Sequence, residues 1–346
     1  MIMKVVYIIT SRNESILQVG PALERMGIEG VMVPTDSFHT TCSYWEHKLD
    51  KWGFHGRYDR YIEAQSQRIV ETIEREQPEA VIFVNIGNAR QIEEYVQALP
   101  QRCHVSMFLV DSIYGESEEA RVLDFPGNHV FVYEYRDKAW LQQQGIKADY
   151  CPVGYGGDYQ RIEGLSQDWD VVFVGSPSGE RLVYLEKVAE AGAQRGWKML
   201  FVGPFFEERY FWKPLSFKAK RPVLFKYIKN ANLPPAQVAD LYRRSKICLN
   251  IQGNDGENLN PRTFEILATG GFELISHHKD YYGLLEPGRD LAEFGSPEEM
   301  VEKVAYYLEH EQERLAMAES GYRQVKDRLR MEDSLRKVLG LQESKS

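Results

Sequence analysis

The sequence lacks any long hydrophobic run. No stretch of its 346 residues approaches the roughly 18 apolar residues that a membrane-spanning helix needs. The apolar run at residues 1–10 is short and has no cleavage pattern, so we do not expect it to be a secretory leader. The sequence therefore predicts a cytoplasmic protein whose contact with a membrane, if any, is peripheral.

Cysteine is scarce too, and the chain has no excess of basic over acidic residues. The four cysteines show no C-x-x-C spacing, which favours buried thiols in a reducing compartment over disulfides or a zinc site. Histidines recur at residues 39, 47 and 55, but no second ligand pair accompanies them, so we expect no metal site. The formal net charge of -9 argues against a nucleic-acid partner, because a phosphate backbone is bound by clustered Lys and Arg.

The sequence does contain two successive arrays of apolar strands and amphipathic helices. Strand patterns recur from residue 4 to residue 133, and a second series begins at 168–175. Continuous apolar strands that alternate with helices indicate parallel sheets covered on both faces. We predict α/β architecture with Rossmann-like domains at 1–155 and 156–324. A charged helical pattern at 325–346 is either a solvated helix or one that packs back on the first domain.

The most informative segment is the polar loop and helix at residues 253–271. Asn260 suits the N-cap, Pro261 the first helical position, and Gly270 or Gly271 the left-handed residue after the helix. The free N–H groups at such a helix start form an anion site, to which Arg262 adds a charge-assisted contact. We predict that a nucleoside diphosphate binds here. The candidate ligands are Asn254, Asn260, Arg262, Thr263 and Glu265.

Two glutamates flank the start of this helix. Glu257 lies in the loop and Glu265 in the second helical turn, with seven residues between them. If the nucleoside diphosphate carries a sugar, one carboxylate can face that donor sugar. The other can accept hydrogen bonds from the diol of the ribose. Alternatively, Glu265 pairs with Arg262 or with its own helix start, and Glu257 is solvated.

Two further features bear on phosphate binding. Gly175 and Ser176 follow the first strand of the second array, where their N–H groups approach a donor, although a lone glycine-rich turn is weak evidence. Residues 209–229 carry seven Lys and Arg among aromatic side chains, a pattern typical of a phosphate clamp or of a surface that rests on an anionic bilayer. A basic surface excursion explains this segment equally well.

Candidate groups for binding a second substrate, the acceptor, lie in the first array. Asp111 follows a strand, so its carboxylate is expected at the carboxyl end of the sheet, either as a general base for an acceptor hydroxyl or as a turn cap. His39 and Asp36, after the second strand, are alternative bases. Aromatic residues are concentrated at 38–61, where they either form a wall for a sugar acceptor or pack the first domain.

One part of the chain resembles a known family. The run Asn260-Pro-Arg-Thr-Phe-Glu-Ile-Leu-Ala-Thr-Gly-Gly, with 241–250 before it and 294–300 after it, resembles the C-terminal half of the CgeB-like glycosyltransferases, the group that includes the spore maturation proteins. The resemblance covers about residues 168–330. It implies the GT-B fold, in which two Rossmann-like domains with parallel sheets face a central cleft. It also implies donor binding without a metal or other cofactor.

The spacing of the two glutamates is similar to the E-x7-E signature of retaining GT-B families. By that resemblance, Glu265 binds the ribose, Glu257 lies near the donor sugar hydroxyls and Arg262 meets the diphosphate. The sequence departs from the pattern in two ways. The loop at 10–13 lacks the usual glycines, and the second basic residue of such families is not located.

We therefore predict a glycosyltransferase that moves a sugar from a nucleoside-diphosphate donor to a hydroxyl of a glycan, a lipid-linked molecule or a protein. Retention of configuration is slightly favoured, and closure at the glycine-rich join 153–157 would exclude water. The alternatives are a non-catalytic GT-B-like spore or surface assembly protein and a sugar-nucleotide epimerase.

Overall fold

The computed structural model describes residues 2–36, 52–53, 56–85, 89–125, 129–177, 179–207, 210–252, 259–279, 281 and 283–341. The chain divides into two compact units. The first consists of Met1–Gly154 and Met331–Ser346, and the second of Tyr155–Arg330.

The first unit is built on a parallel sheet. Within the part of the chain that is described, its six strands lie in the order β2-β1-β3-β4-β5-β6. The strands are β1 Lys4–Ile9, β2 Glu29–Pro34, β3 Ala80–Val84, β4 His104–Leu109, β5 His129–Val132 and β6 Ala148–Tyr150. The helices that precede the second unit are α1 Ser11–Leu17, α2 Val19–Arg25, α3 Gly56–Glu76, α4 Glu93–Ala98, α5 Ser117–Ala120 and α6 Tyr135–Gln143.

The central strand β1 shows why this sheet is covered on both faces. Its side chains alternate between two hydrophobic clusters, with Val6 and Ile8 in one, and Val5, Tyr7 and Ile9 in the other. All five are buried, as expected for a parallel sheet with helices on each side.

The second unit repeats this plan. Its six described strands lie in the order β12-β11-β10-β7-β8-β9, again all parallel. The strands are β7 Trp169–Val174, β8 Met199–Gly203, β9 Ile228–Asn230, β10 Ser245–Asn250, β11 Glu273–Ser276 and β12 Ala292–Phe294. The helices are α7 Arg181–Arg195, α8 Trp212–Lys220, α9 Pro235–Arg243, α10 Pro261–Ala268, α11 Pro297–Glu309 and α12 Glu311–Val325.

Each strand order contains a point where the direction of winding reverses. In the first sheet it lies between β1 and β3, and in the second between β7 and β10. Ligands of open α/β sheets bind outside the carboxyl ends of the strands at such a point. The topology therefore directs attention to the residues that follow β7 and β10.

The last described helix, α13 Met331–Val338, belongs to the first unit. Its Met331, Leu335 and Val338 are buried in the same cluster as β1. Ser334 Oγ accepts a hydrogen bond from Gly154 N at 3.1 Å. The charged pattern at the end of the sequence thus forms two helices, of which α12 lies in the second unit and α13 packs on the first.

The predicted α/β fold class is confirmed, while the prediction of a loop at residues 10–13 is wrong. Residues 11–13 form the first turn of α1, because Thr10 Oγ1 accepts a hydrogen bond from Asn13 N at 3.1 Å and caps the helix. Helices α1 and α2 are separated at Gln18, whose φ is 55°. Helix α7 is capped at its end by the left-handed Gly196.

Candidate functional site

The site at the second winding reversal begins with the start of α10. As predicted, Asn260 is the N-cap, Pro261 occupies the first turn and Gly270, with φ +77°, follows the helix. The side chain of Asn260 does not cap the helix, however. Its Nδ2 donates to Asn250 Oδ1 at 3.1 Å, which ties the helix start to the end of β10.

Asn250 is the centre of a buried hydrogen-bond network. Its Nδ2 donates to Glu273 Oε1 at 2.7 Å and lies 3.1 Å from both Asn260 Oδ1 and Thr263 Oγ1. Its Oδ1 also accepts from Arg262 Nη1 at 3.1 Å. One side chain thus fixes the N-cap of α10 and the orientation of Arg262.

Glu273 is the buried acid of this network. It is the first residue of β11 and is fully buried, and burial raises its pKa to about 7. Hydrogen bonds from Asn250 and Thr263 to Oε1 oppose that rise, while Oε2 has no hydrogen-bond partner among the described residues. Thr263 is itself fully buried, so its hydroxyl serves this network.

A second arginine lies beside Arg262. Arg181, the first residue of α7, donates from Nε to the Ile251 carbonyl at 2.8 Å and from Nη1 to the Ser176 carbonyl at 3.0 Å. Burial lowers the pKa of Arg181, and the neighbouring charge of Arg262 lowers it further. Within the described part of the chain, neither arginine forms an ion pair with a carboxylate.

Gly175 provides the room that Arg262 occupies. A Cβ on Gly175 would lie 2.8 Å from Arg262 Nη2 and 3.2 Å from the Phe173 ring. The backbone of Gly175 is also approached closely by Gly203, where a Cβ would lie 2.0 Å from the Gly175 carbonyl oxygen. Glycine directly after β7 and at the end of β8 therefore leaves room for two close backbone segments and one guanidinium.

Glu265 lies on α10 one turn after Arg262. Its carboxylate accepts a hydrogen bond from the buried Tyr159, and burial raises its pKa to about 7 although Arg262 and Tyr159 both oppose the rise. Tyr159 in turn stacks on Tyr242 with ring centroids 6.4 Å apart. Glu265 is therefore held by Tyr159 and is electrostatically coupled to Arg262.

Two predicted residues of this site, Asn254 and Glu257, lie outside the described residues, and their roles stay predictions. The structure brings Gly175, Ser176, Asn260, Arg262 and Glu265 to the same edge of the second sheet. Sequence reasoning missed Arg181, although its position at a helix start after a Gly-Ser-Pro turn was a usable signal. It also missed Glu273, which stands out as an acidic residue in the apolar run 272–275.

The basic segment 209–229 was the predicted source of a second phosphate contact. Three of its described cations have other contacts: Lys213 Nζ lies 3.9 Å from Glu207 Oε2, and Arg221 Nε lies 3.2 Å from Glu186 Oε1. Lys218 Nζ lies 5.7 Å from the centre of the Phe225 ring. Arg181, from outside this segment, is the cation that adjoins Arg262.

In the first unit, Asp111 lies two residues beyond β4 and is exposed. Asn85, which follows β3 with φ 61°, donates from Nδ2 to Asp111 Oδ2 at 2.7 Å and accepts from the Val110 N–H at 2.9 Å. The carboxylate is therefore held at the carboxyl edge of the sheet by a strained neighbour, and its role as a base stays a prediction.

The other predicted acceptor residues are less informative. His39 and most of the aromatic stretch 38–61 lie outside the described residues. Asp36 accepts from Ser11 N at 2.8 Å and from Ser11 Oγ at 2.6 Å, so its carboxylate holds the start of α1. Tyr61 donates from its hydroxyl to the Asp36 carbonyl at 2.7 Å.

No group of three or more His, Cys, Asp or Glu side chains among the described residues is placed to hold a metal ion. No helix in that part of the chain is both long enough and apolar enough to cross a membrane.

Comparison with known proteins gives a consistent assignment of the fold. Residues 181–340 match a protein-family model described as glycosyl transferase-like. No curated protein matches the chain. The matched range runs from α7 to the end of the second unit and includes the whole of α13.

Solved structures match almost the whole chain. HepE from Anabaena, solved in complex with UDP-glucose, is 12% identical with a TM-score of 0.66, and the match covers 98% of each chain. Sucrose-phosphate synthase from Thermosynechococcus elongatus is 12% identical with a TM-score of 0.67 over 97% of each chain. A glycosyltransferase from Rickettsia africae is 13% identical with a TM-score of 0.68, over 98% of this chain and 97% of that one. This likeness shows that the fold is GT-B.

Proposed function

We propose that the protein is a glycosyltransferase that transfers a sugar from a nucleoside-diphosphate donor to a hydroxyl acceptor. One observation carries the proposal: Arg181 and Arg262 adjoin each other at the winding reversal of the second sheet, beside the start of α10, and no described carboxylate pairs with either. Two neighbouring cations at a helix start are complementary to a diphosphate. The glycosyl transferase-like match and the HepE complex with UDP-glucose support the same donor class.

The chemistry that this site supports is stabilisation of a leaving group. As the bond from the sugar to the diphosphate breaks, negative charge grows on the phosphate oxygen, where fixed cations and helix dipoles lower the barrier. Glu265 would accept hydrogen bonds from the ribose hydroxyls, and Glu257 would contact the donor sugar. In that case retention of the anomeric configuration is favoured. In an inverting reaction, Asp111 would take the proton of the acceptor hydroxyl.

Isothermal titration calorimetry with UDP, GDP, dTDP and CMP tests the donor site. We expect one nucleoside diphosphate to bind, and Arg262→Ala and Arg181→Ala each to weaken it about 10- to 100-fold, because a hydrogen bond to a charged group contributes about 1.5–3 kcal/mol. Arg195→Ala is the matched control, since this exposed arginine of α7 lies over the Trp197 ring. Equal nucleotide affinity in all three variants would show that the nucleotide does not bind at this edge of the sheet.

Product analysis with the bound donor distinguishes the alternatives. Transfer to added glycan or lipid-linked acceptors, or slow donor hydrolysis to the free sugar, supports a glycosyltransferase, and the anomeric configuration of the product decides between retention and inversion. Conversion of the donor sugar without any acceptor indicates an epimerase. If no nucleotide binds at all, the non-catalytic assembly protein becomes the better explanation.

We further propose that this is a CgeB-like enzyme of the cytoplasm that acts on cell-surface polysaccharide. The resemblance at residues 260–276 supports the subfamily. Cys151 and Cys248 are buried and take part in no disulfide, which suits a reducing compartment. Fractionation of the native cells, with the product glycan analysed in a deletion strain, tests both statements.

A further inference from the structure

Helix α8 carries large apolar side chains on its solvent-facing side. Phe211, just before the helix, is 79% exposed, Trp212 is 50% exposed and Leu215 is 66% exposed. At 3.6 residues per turn these three side chains and Ala219 share one face. No residue of α8 is buried, so this face is not covered by the rest of the described chain.

The opposite side of α8 explains how the helix is attached. Phe217 packs towards the second unit, with its ring centroid 5.9 Å from that of Phe205 and 5.7 Å from that of Phe206. Beside this contact lies a cavity of about 440 Å³ whose lining includes Lys213 and Lys220. The helix is thus fixed by one aromatic anchor while its apolar face points away.

The segment that carries this face has charge of one sign. Residues 209–229 contain seven Lys and Arg and no Asp or Glu, in a chain whose formal net charge is -9. Glu207 and Glu186, from outside the segment, lie near Lys213 and Arg221, while Lys218 lies at the edge of the exposed face. A second copy of the same face would bring two such positive surfaces together, which disfavours self-association.

We propose that this face of α8 docks on an anionic phospholipid bilayer. Phe211, Trp212 and Leu215 would enter the headgroup region, and Lys218, at the edge of this face, would meet lipid phosphates. Exposed aromatic and aliphatic side chains beside lysines are the composition of helices that lie in the membrane interface, and an apolar patch of this kind marks an interaction surface. The anionic bilayer is complementary to both the apolar and the basic part of the surface.

Co-sedimentation of the full chain with vesicles tests the proposal. We expect binding to phosphatidylcholine vesicles that contain phosphatidylglycerol, weaker binding at high salt, and little binding to phosphatidylcholine alone. The triple variant Phe211→Ser/Trp212→Ser/Leu215→Ser should lose the binding. Lys218→Glu should weaken it about fivefold or more, since each basic residue near such a surface contributes about 1 kcal/mol.

Matched controls distinguish binding through this surface from nonspecific binding to vesicles. Leu315→Ser removes a comparably exposed leucine of α12, and Lys147→Glu reverses an exposed lysine of the first unit, and both should bind like the wild type. A blue shift of the tryptophan emission on vesicle addition, absent in Trp212→Phe, should accompany binding. Nucleotide titration of the same variants should be unchanged, so a failure here leaves the donor site standing.

Three results would overturn the proposal. The first is a wild type that does not bind the anionic vesicles, and the second is equal binding by the triple and control variants. The third is a dimer in light scattering that is lost in the triple variant, which would make the face a contact between copies of the chain.

Discussion

Replacing Glu273 with glutamine should stabilise the protein at alkaline pH. The native carboxyl is fully buried, has a pKa of about 7 and leaves Oε2 without a partner among the described residues. Glutamine has the shape of the protonated acid and keeps an oxygen that accepts from Asn250 and Thr263. The substitution therefore removes the buried charge without removing the network.

The pH dependence follows from the raised pKa. Below pH 4.5 the carboxyl is protonated in both the native and the unfolded protein, so it contributes no difference. Between pH 4.5 and about 7 the native protein binds more protons than the unfolded one, so the free energy of unfolding falls as the pH rises, and above pH 7 it is level. A pKa change from 4.5 to about 7 corresponds to a loss of about 3 kcal/mol.

Thermal unfolding between pH 5 and pH 8.5 measures this effect. Glu273→Gln should unfold close to the wild type at pH 5 and about 6–12 °C higher at pH 8, since a domain of this size gains about 2–4 °C per kcal/mol. Glu265 titrates in the same range, so only Glu265→Gln/Glu273→Gln should flatten the curve. Glu273→Ala, which strips the network of its acceptor, should be destabilised at every pH. Parallel curves for wild type and Glu273→Gln would refute the reasoning.

Three other substitutions have definite expected outcomes. Asn250→Ala should weaken nucleotide binding about tenfold in calorimetry, because the guanidinium that it orients is released, and binding at wild-type affinity would contradict the role of the network. Gly203→Ala should lower the free energy of unfolding by about 1–3 kcal/mol, whereas Gly56→Ala, with open space around its Cβ, should not. Leu335→Ala should cost about 2–5 kcal/mol in denaturant unfolding and Leu315→Ala less than about 0.5, and equal effects would mean that α13 does not support the first unit.

The sequence predicted those features whose causes are local. The apolar runs of β1, β3 and β4 and the capping residues of α10 depend on neighbours in the chain, and these predictions agree with the structure. The three-residue strands β6, β9 and β12 were missed, since so few residues show no period. Helix α8 was missed because its apolar residues face outward and show no core-facing stripe.

The candidate site was only partly accessible from the sequence. Asn260, Arg262 and Glu265 lie on one helix, so their proximity follows from helical geometry. Tyr159 reaches the same place through tertiary packing, which no local pattern reports, whereas Arg181 had a local signal in its position at a helix start. The close approach between the ends of β7 and β8 is likewise a property of strand order.

The placement of α13 has a consequence for synthesis on the ribosome. The first unit needs residues 331–339 to cover the side of β1 that carries Val5 and Tyr7, and those residues are translated only after the whole second unit. Domains usually fold in the order in which they emerge. Here α13 is synthesised after every strand of the second unit, so the apolar side chains of the first unit that α13 covers lack that cover while the second unit is being translated.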